Sequence, residues 1–347
     1  MINEISEGRA SDVISRPELE CFSQSCVCSY YGGKTNGSIN DCTLLNGQKV
    51  QKAYRKEIRM LTDEERNNFF NAIKEMKKNG DYDYFAAVHR DASYTNCIHG
   101  GPAFLVWHRE LTKRFEIMLR KVNTSLSLFY WDPTLENRLN NPRDSILFTD
   151  QVKARQKTWA FFGTTNSKGS VVTGPFSPWK TLEGNENISR DVGNNDNKCA
   201  SEYDINYTLS KTKIVEVLAY LYPENGCPYD VDFECLEYVH GGVHKCIGGD
   251  MAYLDTSAND PIFPVLHSFV DLVFEQWRQK HQNRTQRAND YPKDLPACSP
   301  SCQFKNATMP QFPTLHNWDG LRNEYTYNMY EYAPRPICNA TTECGSK

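Results

Sequence analysis

Histidine is the residue type whose spacing in this chain points most directly to chemistry. Six of the eight histidines fall into two sets of three, which are His89, His99 and His108, then His240, His244 and His267. On a helix, His240 and His244 share one face with their side chains about 6 Å apart, which suits two ligands of one metal ion. A lone inward histidine is usually a core residue. Burying six neutral rings without partners would cost several kcal/mol, so the pattern predicts two metal ions.

The first set needs a break in its helix. His99 and His108 are nine residues apart, which would place them on opposite sides of one continuous helix. Gly100, Gly101 and Pro102 predict an interruption that lets His99 approach from a loop. Three imidazoles per ion, without a carboxylate or thiolate, fit copper, zinc or iron better than magnesium or calcium. Spacing alone leaves the choice among those three metals open.

Helices are predicted around these histidines. Residues 61–80 read as a helix with Thr62 as N-cap and Gly80 as its end. Apolar residues spaced by three or four predict helices over 102–122 and 264–282, each with one of the histidines in its apolar stripe. The sequence therefore predicts a mainly α fold: a four-helix bundle core that holds two metals, with long loops, few short strands and disulfide-rich flanks.

Cysteine and glycosylation motifs indicate the compartment. The 13 cysteines form three groups of four, within 21–42, 199–246 and 298–344, and pairing inside the groups leaves Cys97 over. Seven Asn-x-Ser/Thr sequons accompany them, at Asn36, Asn123, Asn187, Asn206, Asn283, Asn306 and Asn339. Both features predict a secreted or lumenal glycoprotein. The first residues lack the apolar region of a signal peptide, so we expect a trimmed or incomplete chain.

Composition excludes other classes of protein. Lys plus Arg total 39 against 43 Asp plus Glu, a formal charge of -4, which offers no basic footprint for nucleic acid. No apolar run approaches the roughly 20 residues that span a bilayer. We expect a cysteine-rich arm over 1–50, a metal-binding catalytic domain over 51–285, and a cysteine-rich segment over 286–347 that wraps the core.

Longer motifs resemble the tyrosinase family of type 3 copper proteins. The most specific are HGGPAFLVWHRELTKRFE at 99–116 and SANDPIFPVLHSFVDLVFEQW at 257–277, and YDYFAAVHRD, LEYVHGGVHKCIGG and DGLRNEYTYNMYEYAPRPIC extend the likeness over about 45–340. The resemblance implies one copper on each histidine set and oxidation of ortho-diphenols by O2 to ortho-quinones, for melanin or protein cross-linking. It implies O2 and small phenols as partners, and protein-bound tyrosine as a further substrate. It leaves monophenol hydroxylation open.

The resemblance also implies roles for residues beside the ligands. Glu237 matches a buried carboxylate that orients a water near the second metal, where it would help deprotonate a phenol; a plain structural acid is the alternative. Cys97 stands two residues before His99, an arrangement that forms a thioether to the histidine ring in some members; a buried thiol is the alternative. Many members that hydroxylate monophenols have Asn where this chain has Gly241, which argues for diphenol oxidation.

Four further residues are candidates for the substrate pocket: Lys245, Phe263, Val265 and Leu266. Lys245 would favour acidic substrates, unless it is simply solvated, and the other three have ordinary core packing as their alternative. Leu266 replaces a histidine of many members, and the Leu-His pair also occurs in vertebrate tyrosinase-related proteins, which include a zinc-loaded dopachrome tautomerase. That tautomerase, a hemocyanin-like O2 carrier and a metal-free scaffold are the alternative functions.

Overall fold

The fold is that of a computed structural model, which describes residues 16–153, 156–158, 160–193 and 199–336. Its helices are α1 (Gln24–Val27), α2 (Asp63–Lys78), α3 (Asp81–Ser93), α4 (Ala103–Val122), α5 (Glu202–Ser210), α6 (Leu236–Ile247), α7 (Ile262–His281) and α8 (Arg284–Asn289). Short 3-10 turns and long loops connect them. The mainly α class is confirmed. No helix within the described ranges is long and apolar enough to cross a membrane.

Strands are few and short. They are β1 (Gly33–Lys34), β2 (Thr43–Leu44), β3 (Ala53–Arg55), β4 (Gln151–Lys153), β5 (Gln156–Thr158), β6 (Thr308–Met309), β7 (Phe312–His316) and β8 (Tyr330–Tyr332). They form four two-stranded sheets, of which three are antiparallel hairpins. The fourth pairs β3 with β8 in parallel, so it joins two segments from opposite ends of the chain.

Local signals explain where the first long helices begin and end. The Thr62 hydroxyl accepts the backbone N–H of Glu65, and the Glu65 carboxylate accepts the backbone N–H of Thr62, which makes a complete capping box for α2. Gly80 has φ +87°, a left-handed conformation that ends α2 and turns the chain into α3. The predicted helix over 61–80 is therefore confirmed to within two residues at each end.

The core lies between α4 and α7, whose side chains are buried along almost their whole length. Trp107, Trp131 and Trp277 are among its largest fully buried side chains. The predicted helix over 264–282 begins slightly earlier than expected, at Ile262, directly after Pro261, and Asp260 accepts the backbone N–H of Ile262. Both long helices that the apolar stripes predicted are present.

Disulfides tie the flanking segments to this core, and they correct one prediction. Five bonds are present in the described residues: Cys21–Cys26, Cys28–Cys42, Cys97–Cys302, Cys199–Cys246 and Cys227–Cys298. Cys227–Cys298 joins two of the predicted groups, and Cys97–Cys302 joins the third group to the cysteine that the grouping left over, where the segment after Tyr291 packs against the loop after α3. Cys97 is therefore not the sulfur left over, and Cys235 is the free, buried cysteine of the described residues. Cys338, Cys344 and the sequon at Asn339 lie outside them.

The three predicted segments stay a prediction as far as their boundaries are concerned. Both ends contact each other on the core: the Gln24 amide donates to the carbonyl of Asn328 at 2.9 Å, and the Asn328 amide donates to that of Phe22 at 2.9 Å. The two flanking segments thus pack against each other.

Candidate metal centre

The six predicted histidines meet in the interior as two groups of potential ligands. His89, His99 and His108 form one group, and His240, His244 and His267 form the other; in each, one ligand atom per residue lies within 4.8 Å of the others. The structure thus brings each set together as the spacing grouped it, and metal binding by these residues stays a prediction. His281 and His316 lie outside both groups, as expected: the His281 ring contacts the carbonyl of Leu209, and His316 is half exposed.

The first set combines two helices and one loop. His89 comes from α3 and His108 from α4, and the His99 ring enters from the loop between them. Ring centroids are 5.4 Å apart for His89 and His99 and 5.0 Å apart for His99 and His108. Gly100 has φ +76° and supplies the turn that the sequence predicted between these two ligands.

The second set combines α6 and α7. His240 and His244 share the buried face of α6, with ring centroids 4.4 Å apart, and His267 faces them from α7. The Nε2 atoms of His240 and His267 are 3.0 Å apart. These two nitrogens point at the same place, as two ligands of one ion must.

The two sets are neighbours. The rings of His108 and His267 stack with centroids 4.7 Å apart and planes 16° apart, and His108 and His240 are 6.4 Å apart. Since one member of each set contacts the other, the six imidazoles line a single centre.

Backbone carbonyls orient several of the rings. Nδ1 of His108 contacts the carbonyl of Phe104 at 2.9 Å, and Nδ1 of His267 contacts that of Phe263 at 3.0 Å. His244 does the same with the carbonyl of Met251 at 2.7 Å. Because a carbonyl only accepts, each Nδ1 carries the proton and each Nε2 keeps a lone pair directed into the centre.

Several ring nitrogens have no hydrogen-bond partner among the described residues. They are buried, and they are Nε2 of His108 and His244, Nδ1 of His99 and both nitrogens of His89. A buried polar atom without a partner is costly, and metal ligation removes that cost. The donor set, neutral imidazole nitrogen only, also suits copper and zinc. The residues present therefore fit two such ions.

Burial keeps these histidines uncharged. It lowers the pKa of His99 to about 3 and that of His244 to about 4, and it lowers those of the other four further below their usual range. Desolvation is the main cause, and neighbouring histidines add to it in most cases. All six rings are neutral at pH 7, which is the protonation state that binds metal.

Glu237 lies on the buried face of α6, one turn before His240. Its Oε1 accepts the backbone N–H of Gly100 at 2.5 Å, so this carboxylate contacts the loop that carries His99. Burial raises the pKa of Glu237 to about 8, against the opposing effect of the N–H groups of Gly100 and Gly101. The structure places it beside the candidate ligands, and its role toward a water and a phenol stays a prediction.

The predicted thioether is wrong. The sulfur of Cys97 is bonded to that of Cys302, so it is not available to the ring of His99. The two-residue spacing was the basis of that prediction, and spacing alone did not reveal a partner 205 residues away.

The pocket candidates separate by exposure. Gly241 is half buried on α6, and a Cβ there would meet open space, whereas Lys245 points into solvent. Phe263 is buried and stacks on His267, with centroids 3.9 Å apart, and it meets His89 edge-to-face, with centroids 4.6 Å apart. Val265 and Leu266 are fully buried in the core. Their effect on substrates stays a prediction.

Sequence reasoning missed the groups that orient the ligands. Two of the carbonyls belong to the residue four positions before their histidine, Phe104 and Phe263. On a helix, the four-residue spacing in FLVWH and FPVLH therefore indicated where these two partners lie. The third, from Met251, follows α6 after the turn at Gly248 and Gly249, whose φ values are +67° and +56°. No periodic pattern points to that contact.

A helical fold that brings together two buried sets of three histidines gives this chain a candidate binuclear metal site. Residues 79–280 match the model of the common central domain of tyrosinase, which is more than half of the chain. The chain belongs to the tyrosinase family.

Relatives of the whole chain are animal proteins. It is 45% identical over 328 residues to the tyrosinase-like protein tyr-3 of Caenorhabditis elegans, covering 94% of this chain and 45% of that protein. It is 30% identical over 320 residues to a tyrosinase-like protein of Pinctada maxima, covering 86% of this chain and 66% of the oyster protein. The chain thus spans about half to two thirds of the length of these relatives.

Solved structures share the fold. A polyphenol oxidase variant from Thermothelomyces thermophila superposes with a TM-score of 0.59 at 18% identity, over 94% of this chain and all of that one. A tyrosinase from Burkholderia thailandensis has a TM-score of 0.52 at 17% identity, over 84% of this chain and 75% of that one. At these identities the likeness shows the fold alone.

Proposed function

We propose that this chain is a secreted type 3 copper oxidase that uses O2 to convert ortho-diphenols into ortho-quinones. The observation that carries the proposal is the pair of facing, neutral histidine sets in a chain of the tyrosinase family. Two molecules of catechol give up four electrons and four protons, and one O2 takes them to form two waters, so the reaction balances without another reductant.

The first copper would be held by His89, His99 and His108, and the second by His240, His244 and His267. Two coppers bound there would supply the redox chemistry and the binding place for O2. The protein's part is to keep the rings neutral and directed inward and to exclude water from the apolar side, where Phe263 covers His89 and His267. A fixed geometry of this kind lowers the reorganisation that the electron transfer requires.

Substrate would approach along α6. His99 is half buried, and Gly241 and Gly242 leave open space above the same helix, so this is the side of the centre that is least covered. Glu237 lies between His99 and His240, so its carboxyl group is close to that approach. It would accept the phenolic proton, and the positive charge of bound metal would lower its pKa for that task.

Small catechols are the proposed substrates, and the secretory compartment is the proposed location. Exposed tyrosine side chains of other proteins would be substrates only if the chain also hydroxylates monophenols. Five disulfides support that location, because such bonds persist outside the cytosol. The sequon asparagines Asn36, Asn206 and Asn306 are exposed and therefore open to glycosylation.

Oxygen uptake with catechol tests the activity. The purified chain is prepared metal-free, with two equivalents of copper, or with two equivalents of zinc, and O2 consumption is followed with an electrode. We expect uptake from the copper form alone. His108→Ala and His244→Ala should each lose one copper and the activity, and His281→Ala, outside both sets, should lose neither.

Other outcomes would point elsewhere. Reversible O2 binding by the copper form without catechol turnover would contradict the proposal in favour of a carrier. Consumption of dopachrome by the zinc form without O2 would favour a tautomerase. A chain that binds neither metal would favour a scaffold. Activity retained in His108→Ala would contradict the ligand assignment.

A further inference from the structure

His99 is the one ligand candidate that does not lie on a helix. The other five lie on helices, whereas His99 lies in the loop between α3 and α4. Its Nδ1 is buried and has no hydrogen-bond partner among the described residues, although the same atom of His108, His244 and His267 contacts a carbonyl. The direction of the His99 ring therefore depends on how its backbone is held.

Gln303 holds that backbone. Its Nε2 donates to the carbonyl of His99 at 2.8 Å and to that of Asn96 at 3.0 Å. Both partners are acceptors, which identifies the nitrogen side of the amide as the one that faces the loop. The Gln303 side chain is 1% exposed, so water does not replace these bonds. One side chain thus bridges the ligand and the residue three positions before it.

Gln303 is itself fixed. The backbone carbonyl of Gln303 accepts the hydroxyl of Tyr291 at 2.8 Å. Its neighbour Cys302 forms a disulfide with Cys97, in the loop that carries His99. The Asn317 amide donates to the carbonyls of Cys302 and Phe304, at 2.9 Å each. The segment around residue 303 is therefore a rigid support, and it comes from a part of the chain remote from the ligands.

Gly101 makes room for this contact. A Cβ at Gly101 would lie 2.0 Å from Oε1 of Gln303, and its φ is not in the left-handed region, so the glycine is required for space. On the other side of the loop, Gly100 donates its N–H to Glu237 and accepts the N–H of Leu221, the latter at 3.1 Å. The loop is clamped from both sides, and Gln303 is the side chain that bonds to the carbonyl of His99 itself.

We propose that Gln303 is a positioning residue for the first metal: its amide fixes the carbonyl of His99 and so directs the His99 imidazole into the first set. The inference rests on the proposed metal loading and adds a residue that touches neither metal nor substrate. Loss of the amide should weaken the first site and leave the second, on α6 and α7, unchanged. Partners that orient ligands typically change metal affinity by about 10- to 100-fold.

Stepwise copper binding tests this inference. Metal-free wild type, Gln303→Met and Tyr291→Phe are titrated anaerobically with Cu(I) against a chromophoric chelator, which reports the affinity of each of the two sites. Gln303→Met keeps the length of the side chain but has no donor. Tyr291→Phe is the matched control, because it removes a buried hydrogen bond to the same residue without touching the loop. Thermal unfolding of each metal-free protein measures the general loss of stability.

We expect Gln303→Met to lose at least about tenfold in affinity at one site, at a melting temperature similar to that of Tyr291→Phe, whose two affinities match wild type. Two wild-type affinities in Gln303→Met, or an equal one-site loss in Tyr291→Phe, would overturn the inference. If Gln303→Met does not fold, Gly101→Ala displaces the amide while residue 303 stays intact, with the same expected loss at one site. Two wild-type affinities in Gly101→Ala would equally overturn the inference.

A failure of the proposed function and a failure of the inference about Gln303 give different results in these measurements. A wild-type chain that binds no copper would contradict that function and this inference together. Two coppers in wild type, with no catechol oxidation, would contradict the oxidase proposal alone, because Gln303 acts on metal binding and not on the reaction.

Discussion

The disulfide Cys97–Cys302 joins residues 205 positions apart and lies beside a candidate ligand, so its removal is an informative perturbation. The double variant Cys97→Ser/Cys302→Ser leaves no unpaired sulfur at either position. In the chain-entropy description, a bond that closes a loop of this length stabilises the folded state by about 5 kcal/mol, through its restriction of the unfolded chain. Cys227–Cys298 shortens the loop, but the dependence is logarithmic and the value changes by less than about 1 kcal/mol.

A second disulfide provides the control. Cys21 and Cys26 are only five residues apart, and the same description gives about 2 kcal/mol for that bond. Urea unfolding without reductant, extrapolated to water, measures both double variants against wild type. We expect the loss for Cys97→Ser/Cys302→Ser to exceed that for Cys21→Ser/Cys26→Ser by about 3 kcal/mol, with copper absent throughout.

Equal losses in the two double variants would refute the reasoning from loop length. A peptide map of the unreduced wild-type chain tests the pairing itself. The peptides that hold Cys97 and Cys302 should run as one species and separate on reduction. A Cys97 peptide that stays joined to His99 in a form that reduction does not split would restore the thioether and refute the disulfide.

Three further predictions concern stability and specificity. The guanidinium of Arg190 is fully buried and donates to both carboxylate oxygens of Asp260, at 2.6 and 2.8 Å. Asp260→Asn removes the counter-charge, so urea unfolding should show a loss of about 3–5 kcal/mol in the free energy of unfolding, and Arg190→Met in the double variant should restore part of it. The folded-state pKa of each ligand histidine lies below the unfolded value of about 6.5. In the metal-free protein, the contribution of each histidine to the free energy of unfolding should therefore be complete above about pH 6.5. As the pH falls toward 4, the free energy of unfolding should decrease by about 1.4 kcal/mol per pH unit per histidine. His244→Gln should reduce that slope by one histidine's share, and an unchanged slope would contradict the assignment. Gly241→Asn places its Cβ in open space and should leave the melting temperature unchanged or slightly higher. We expect the ratio of monophenol to diphenol turnover to increase. A constant ratio would show that position 241 does not determine monophenol hydroxylation.

Local patterns predicted much of this centre because they reflect local geometry. The four-residue spacing of His240 and His244 places two rings on one face of α6 whatever packs against it. The spacing of His99 and His108 required an interruption of the helix at Gly100, and the φ of +76° at Gly100 shows that the helix is interrupted there. The capping box at Thr62 needs only residues 62–65.

The support of the centre could not be predicted in the same way. Cys302 and Gln303 act on a loop about 200 residues earlier in the chain, and no periodicity relates them to it. The excess of cysteines signalled that disulfides exist, but four cysteines in a group already allow three pairings, and bonds between groups add many more. Long-range contacts of this kind depend on how whole segments pack, which a single sequence does not display.

The buried charges behind the histidines show how far the centre depends on such packing. Arg109 directly follows His108, and its Nε donates to Oδ1 of Asp271, one turn after His267, at 2.5 Å. The other oxygen of Asp271 accepts the hydroxyls of Tyr330 and Tyr332 from β8, at 2.7 Å each. Breaking one partner of a buried ion pair costs several kcal/mol, so a slip of α4 along α7 by one turn is strongly disfavoured. Because His108 and His267 lie next to this pair on the same helices, the register that satisfies the charges is also the one that stacks the two rings at 4.7 Å. The strand β8 therefore contributes to the alignment of the two histidine sets, although it contacts neither.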